Sequence, residues 1–199
     1  MKHLVFTLAL VAFVGSAGAE PLFLDGAATA TDVQSGFLGA DAFPFAGLSD
    51  GDPIGFHFVF DSDAAPVSND GTTAVYRFES PAGSTVTLGA SMVSLDLLTI
   101  TLSTSSGSTS LEFAARNDAL GFSTSVSFLA QEELDLAVPV SLDAYDVTGV
   151  LYANSDLNQA LLPILTAELT SAAIIPGPGG TAVLAAALAA TTRRRRVRG

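Results

Sequence analysis

The oxygen-bearing side chains between Asp50 and Asp70 are the residues of this chain whose types and spacing best suit chemistry. Asp61-Ser62-Asp63, with Asn69 and Asp70 following closely, offers hard oxygen ligands to a calcium ion if the intervening loop folds back on itself. The Asp-x-Asp opening is that of an EF-hand loop. Pro66 and Thr72, however, stand where such a loop needs its glycine and its glutamate, which excludes that motif. Asp and Asn side chains in this setting also form turns, by accepting nearby backbone amides. Calcium held by Asp61, Asp63, Asn69 and Asp70 is thus the only cofactor the sequence suggests.

A pair of carboxylates suffices for glycoside hydrolysis when the two face each other across a cleft. Asp50, Asp52, Asp61 and Asp63 cluster near the ends of one apolar alternation and are candidates by position. Most other chemistry is removed by counting. The chain has no cysteine, its one lysine is Lys2, and its histidines are His3 and His57. Beyond residue 20, Cys-His dyads, Ser-Lys pairs and multi-histidine zinc sites are excluded. A Ser-His-Asp triad would have to use His57, which lies opposite a phenylalanine face, and no serine sits in a nucleophile-elbow glycine pattern. Aromatic platforms for sugars are also few: tryptophan is absent, and Tyr76, Tyr145 and Tyr152 are the only tyrosines. No catalytic residue is expected.

The elements that must position these groups read as strands. Ile54, Phe56, Phe58 and Phe60 recur with the two-residue period that places four large apolar groups on one face of a pleated strand. The same period returns at Tyr76 and Phe78, at Leu98, Ile100 and Leu102, and at Leu111, Phe113 and Ala115, with Glu112 and Arg116 pointing the other way. It returns again at Phe122, Thr124, Val126 and Phe128, from Leu134 to Leu142, and at Leu165, Ala167 and Leu169. Asp50-Gly51-Asp52-Pro53, Ser68-Asn69-Asp70-Gly71, Ser80-Pro81-Ala82-Gly83 and Ser105-Ser106-Gly107-Ser108 supply turns between the runs. The alternation slips between Leu97 and Leu98 and around Gly149, which predicts bulges or tight corners. Pro139, lacking an N–H, predicts a strand-edge position. Helical signal is confined to a turn or two after Asn154-Ser155-Asp156, stopped by Pro163. Eight to ten short strands with one wet face predict an all-β fold, a single antiparallel β-sandwich of jelly-roll or Greek-key kind over residues 20–175.

Charge and termini say where such a domain is sent. Between Glu20 and Ile175 only Arg77 and Arg116 oppose 20 acidic residues, a formal charge of −18 that repels nucleic acid and anionic lipid. Without cysteine the fold needs no oxidising compartment, and at this length its core can be large enough to need no staple. Lys2 and His3, the apolar stretch Leu4 to Val14 and the small-x-small step Ala17-Gly18-Ala19 form a secretory signal peptide over residues 1–19, cleaved before Glu20. Residues 176–199 run from Pro176-Gly177-Pro178-Gly179-Gly180, through the apolar Thr181 to Thr192, to Arg193, Arg194, Arg195, Arg196 and Arg198. The apolar segment predicts a short helix below the roughly 20 residues of a stable span, and the arginines favour the cytoplasmic side. A transient membrane contact during export follows.

A Pro-x-Pro motif, a short apolar segment and a terminal arginine cluster, on a chain with a signal peptide, resemble the PEP-CTERM sorting signal of Gram-negative bacteria. The resemblance covers about the last 25 residues and is specific as a three-part layout. It implies processing by an exosortase and release or transfer to the cell surface. Gly177 stands where the usual motif has glutamate. Gly179-Gly180 is similar to the GlyGly-CTERM tails handled by rhombosortase, the alternative route, and would go with a calcium- or carbohydrate-binding module. Segments such as Gly51-Asp52-Pro53-Ile54-Gly55-Phe56 and Phe60-Asp61-Ser62-Asp63 are similar to those of β-rich PEP-CTERM cargo, which implies a surface or matrix role. The expected protein is exported and non-enzymatic, with extracellular polysaccharide or other surface proteins as partners and a carboxylate-based glycan hydrolase as the runner-up.

Overall fold

Where the two-residue period is unbroken, one side of the backbone is apolar and must find cover, and in all but one of these runs the chain pairs strand to strand. The structure is a computed structural model that describes residues 21–36, 40–155 and 163–177. The strands are β1 (Pro21–Val33), β2 (Pro53–Asp61), β3 (Ser68–Asn69), β4 (Thr73–Glu79), β5 (Thr85–Leu88) and β6 (Ser91–Ser94). They continue with β7 (Leu97–Ser105), β8 (Ser108–Asn117), β9 (Phe122–Ala130), β10 (Val150–Ser155) and β11 (Leu165–Pro176). All belong to one antiparallel sheet in the order β3-β4-β7-β8-β9-β10-β11-β1-β2-β5-β6. The all-β, antiparallel expectation is met.

That sheet cannot be flat. Only Leu95 and Asp96 separate β6 from β7, three Cα steps or at most about 11 Å. Seven strands nevertheless lie between β6 and β7 in the sheet, which in a flat array would part them by roughly 38 Å. The sheet must fold over, and the aromatic contacts record it. Phe60 of β2 meets Phe78 of β4 at 6.3 Å between ring centroids and Phe113 of β8 at 5.6 Å, while Phe58 stacks on Phe113 at 6.3 Å. Phe113 also meets Phe128 of β9 edge-on at 6.2 Å. Apolar rows from Ile54 to Phe60, Leu98 to Leu102, Leu111 to Ala115, and Leu165 to Leu169 are buried, as their period predicts. The loop before β2 adds Phe45, which packs on Phe122 at 5.8 Å.

Backbone chemistry fixes the pairing. The β7–β8 hairpin turns through Ser106 and Gly107, both at positive φ (51° and 84°), the two-residue geometry that matches strand twist. In the long β1–β11 pair, Thr170 is the extra residue of a bulge in β11 and Thr31 that of a bulge in β1. Each threonine covers its own irregularity. Thr170 Oγ1 donates to Ala27 O at 3.0 Å, and Thr31 Oγ1 donates to Thr166 O at 3.2 Å. Gly26 in β1 has no side chain because the Phe56 ring occupies that space, 2.1 Å from where a Cβ would stand.

Two expectations need correction, and a third is narrowed to one of its alternatives. Leu134 to Leu142 is not a strand, although Val138 and Leu142 are buried. Its backbone is held by side chains instead of a ladder. Tyr76 Oη donates to Leu136 O at 2.7 Å, and the fully buried Thr109 hydroxyl donates to Glu132 O at 3.0 Å while accepting from Leu134 N at 2.8 Å. Pro139 therefore lies in this irregular segment, not on a strand edge. The slip at Leu97 and Leu98 is a corner, since the β7 ladders begin at Leu97 in regular register with both β4 and β8. Gly149 also marks a corner, where a Cβ would stand 2.3 Å from Ser127 O. The two bulges fall in β1 and β11. The turns after Asp156, the signal peptide and the C-terminal apolar segment lie outside the described residues.

Phe113→Ala is expected to destabilise the protein by about 3 to 5 kcal/mol, since it empties a site shared by strands on both sides of the fold. Denaturant unfolding with an unchanged slope checks this. A loss below about 1 kcal/mol would mean that the facing strands do not share this core.

Candidate functional site

The proposed calcium ligands are drawn into separate turns. Asp61, at the end of β2, accepts from Asp63 N at 2.8 Å, and Asn69 of β3 accepts from Gly71 N at 2.9 Å. Asp70 Oδ1 accepts from Thr72 N (2.9 Å), Thr72 Oγ1 (2.9 Å) and Thr73 N (2.7 Å). These bonds, led by the Thr72 amide, hold the Asp70 carboxyl below its ordinary value. Among the described residues no three His, Cys, Asp or Glu side chains form a group that could hold a metal ion. Of the hydrolase candidates, Asp50, Asp52 and Asp61 likewise accept backbone amides. Asp50 accepts from Val33 N at 2.9 Å and Asp52 from Ser49 N at 2.8 Å. Asp52 and Asp61 bracket the extended β2, so nine residues set them on the order of 30 Å apart, well beyond a glycosidase pair.

His57 faces away from the phenylalanine side of β2, as its place in the alternation predicts. Its partner was not legible. His57 Nδ1 meets Asp25 Oδ1 directly across the β1–β2 ladder, and the Phe23 ring lies 5.0 Å from the imidazole. Asp25 belongs to β1, a strand whose alanines and Gly26 hide its period in the sequence. About two fifths of the Asp25 side chain and a third of that of His57 remain exposed (43% and 35%), so this is a surface pair on a sheet.

A concave site does form on the outer face of β7 to β10. Register brings Thr99, Ala114, Ser125 and Tyr152 into one row, and Leu97, Arg116, Ser123 and Asn154 into the next. Small side chains in the first row leave a groove of about 460 Å³, bounded by Glu112, Arg116 and Tyr152. Glu112 and Arg116 flank Ala114 along β8, each about 7 Å away along the strand. Arg116 Nε donates to Asp118 at 2.9 Å, which braces the guanidinium at the rim. Tyr152 is the exposed tyrosine, 44% accessible, whereas Tyr76 and Tyr145 are buried, which raises the pKa of both phenols. Thr124 Oγ1 donates to Tyr152 O at 2.8 Å and ties β10 to β9 beneath the ring. The outward direction of Glu112 and Arg116 was legible from their phase; the addition of Tyr152 required the sheet order.

No protein-family model matches the chain, and comparison with curated proteins and with solved structures returns no match. The functional reading rests on the residues themselves.

Asp70→Ala is expected to lower stability at neutral pH. Because the folded pKa lies below the unfolded one, the carboxylate stabilises the fold above the ordinary aspartate range, and that contribution is lost as pH falls through the folded value. Parent and variant should converge in strongly acidic solution. Unfolding midpoints measured against pH check this; equal midpoints at neutral pH would refute the turn-forming role.

Proposed function

We propose that this chain is an exported, non-enzymatic cell-surface or extracellular-matrix protein, sorted by a PEP-CTERM-like tail that an exosortase-type enzyme processes. Its folded-over sheet makes a jelly-roll or Greek-key-like sandwich, which presents Ser/Thr-rich faces to extracellular polysaccharide or other surface proteins. The observation that carries the reading is the pairing of the two ends of the domain. Leu22 pairs with Pro176, and Gly177 N donates to Pro21 O at 2.8 Å. Pro21, the second residue after the expected leader cleavage, and the start of the expected sorting motif thus sit side by side, at one end of adjacent strands. Leader and tail would both depart from that end, an arrangement that suits a domain held at a membrane while it is processed.

The same contact supplies a reason for the glycine between the prolines. A Cβ at position 177 would stand 2.8 Å from both Pro21 O and Pro21 Cγ, so a glutamate there would have to push the strand ends apart. Gly177 is in this reading a demand of the fold. The hydrolase alternative draws no comparable support: the groove on β7 to β10 is lined by one carboxylate, Glu112, where glycoside hydrolysis ordinarily uses two.

Intact mass of the protein recovered from surface and secreted fractions of its native host tests the proposal. The expected species lacks residues 1–19 and everything beyond the Pro176 to Gly180 stretch. A species that keeps Arg193 to Arg198 overturns the sorting reading.

A further inference from the structure

We propose that the groove on the outer face of β7 to β10 is a binding site for a short stretch of neutral glycan, an inference that rests on the surface-protein reading and gives it a ligand. Size separates the classes of occupant. About 460 Å³ falls within the range of small-molecule sites, roughly 300 to 1,000 Å³. A stable protein partner would instead need on the order of 800 Å² from this side, more than one row of small side chains provides.

The lining selects among small ligands. A sugar ring has an apolar C–H face and an equatorial belt of hydroxyls, and it needs a flat apolar surface with donors and acceptors around it. Tyr152 supplies the ring, half-exposed, on a strand whose backbone Thr124 ties to β9. Ala114 keeps the floor low, and Thr99, Ser123 and Ser125 place hydroxyls along it. Glu112 offers acceptors on one side of Ala114, and Arg116, braced by Asp118, offers donors on the other. A purely apolar ligand would desolvate the Glu112 carboxylate without giving it a partner, which is costly. All these groups stand on paired strands, so little ordering is required when a ligand arrives.

Charge decides which glycan. Glu112 and Arg116 cancel within the groove, while the domain around it carries −18. An anionic polymer such as alginate would be repelled by that field, and a neutral one would not.

The test is calorimetric titration of the host-processed protein with cellohexaose, laminarihexaose and chitohexaose, with oligomeric alginate as the anionic probe. At least one neutral hexaose is expected to bind in preference to alginate. Tyr152→Phe should keep affinity within about threefold, and Tyr152→Ala should weaken it about tenfold or more with an unchanged unfolding midpoint. Failure of all three neutral probes, equal affinity in Tyr152→Ala, or tighter binding of alginate overturns the inference. Correct processing at both ends without glycan binding would defeat the groove and leave the proposed function standing. A retained arginine tail with intact glycan binding would do the reverse.

Discussion

The contact of Phe113 with Phe58, Phe60 and Phe128 is the constraint on which the rest of the domain depends. Strands β2 and β8 are not neighbours in the hydrogen-bonded order, so nothing in the ladder alone makes them meet. What makes them meet is that each carries a row of apolar side chains on one face, and such a face of a sheet finds cover only against another face. Once β2 lies over β4 and β8, the three connections β2–β3, β4–β5 and β6–β7 become short crossings from one half of the sheet to the other. The outward faces are then released from packing. This is why small polar residues occupy them, and why a trough can exist over β8 and β9 without weakening the core beneath.

A second consequence concerns how a chain without cysteine and with so much negative charge keeps its loops in place. The work is done by short side chains acting on nearby backbone. Asp50, Asp52, Asp61, Asn69, Asp70 and Asp146 each accept a main-chain amide close by. The threonines Thr31, Thr109 and Thr170 satisfy the carbonyls that bulges and the irregular segment leave outside regular ladders. In Asp70 and Asp146 the bonds also favour the ionised form. The acidity of this sequence is thus partly structural, an inventory of acceptors at turns.

Much of the fold was legible because burial and period coincide in β2, β7, β8, β9 and β11. Where they part, the reading fails for identifiable reasons. β1 is the longest strand, yet its inward positions hold Gly26, Ala28 and Ala30, small because Phe56 and the neighbouring strands fill the space. The hairpin of β5 and β6 is too short to display a period. Leu134 to Leu142 has the period without the ladder, because its backbone partners are the hydroxyls of Tyr76 and Thr109, which no local pattern announces. The groove shares this character: Glu112 and Arg116 could be placed on an outer face from β8 alone, but Tyr152 joins them only through β9 and β10.

The union of β1 and β11 also determines how the domain meets mechanical load. A pull applied to Pro21 and Gly177 acts on adjacent antiparallel strands at the same end, so it falls on one interstrand bond at a time and peels them apart in sequence. A pull through one end alone, against drag on the whole body, places no such opening force across the pair. Tethered through two ends the domain would yield like a zipper, and held by one it would keep its shape in flow.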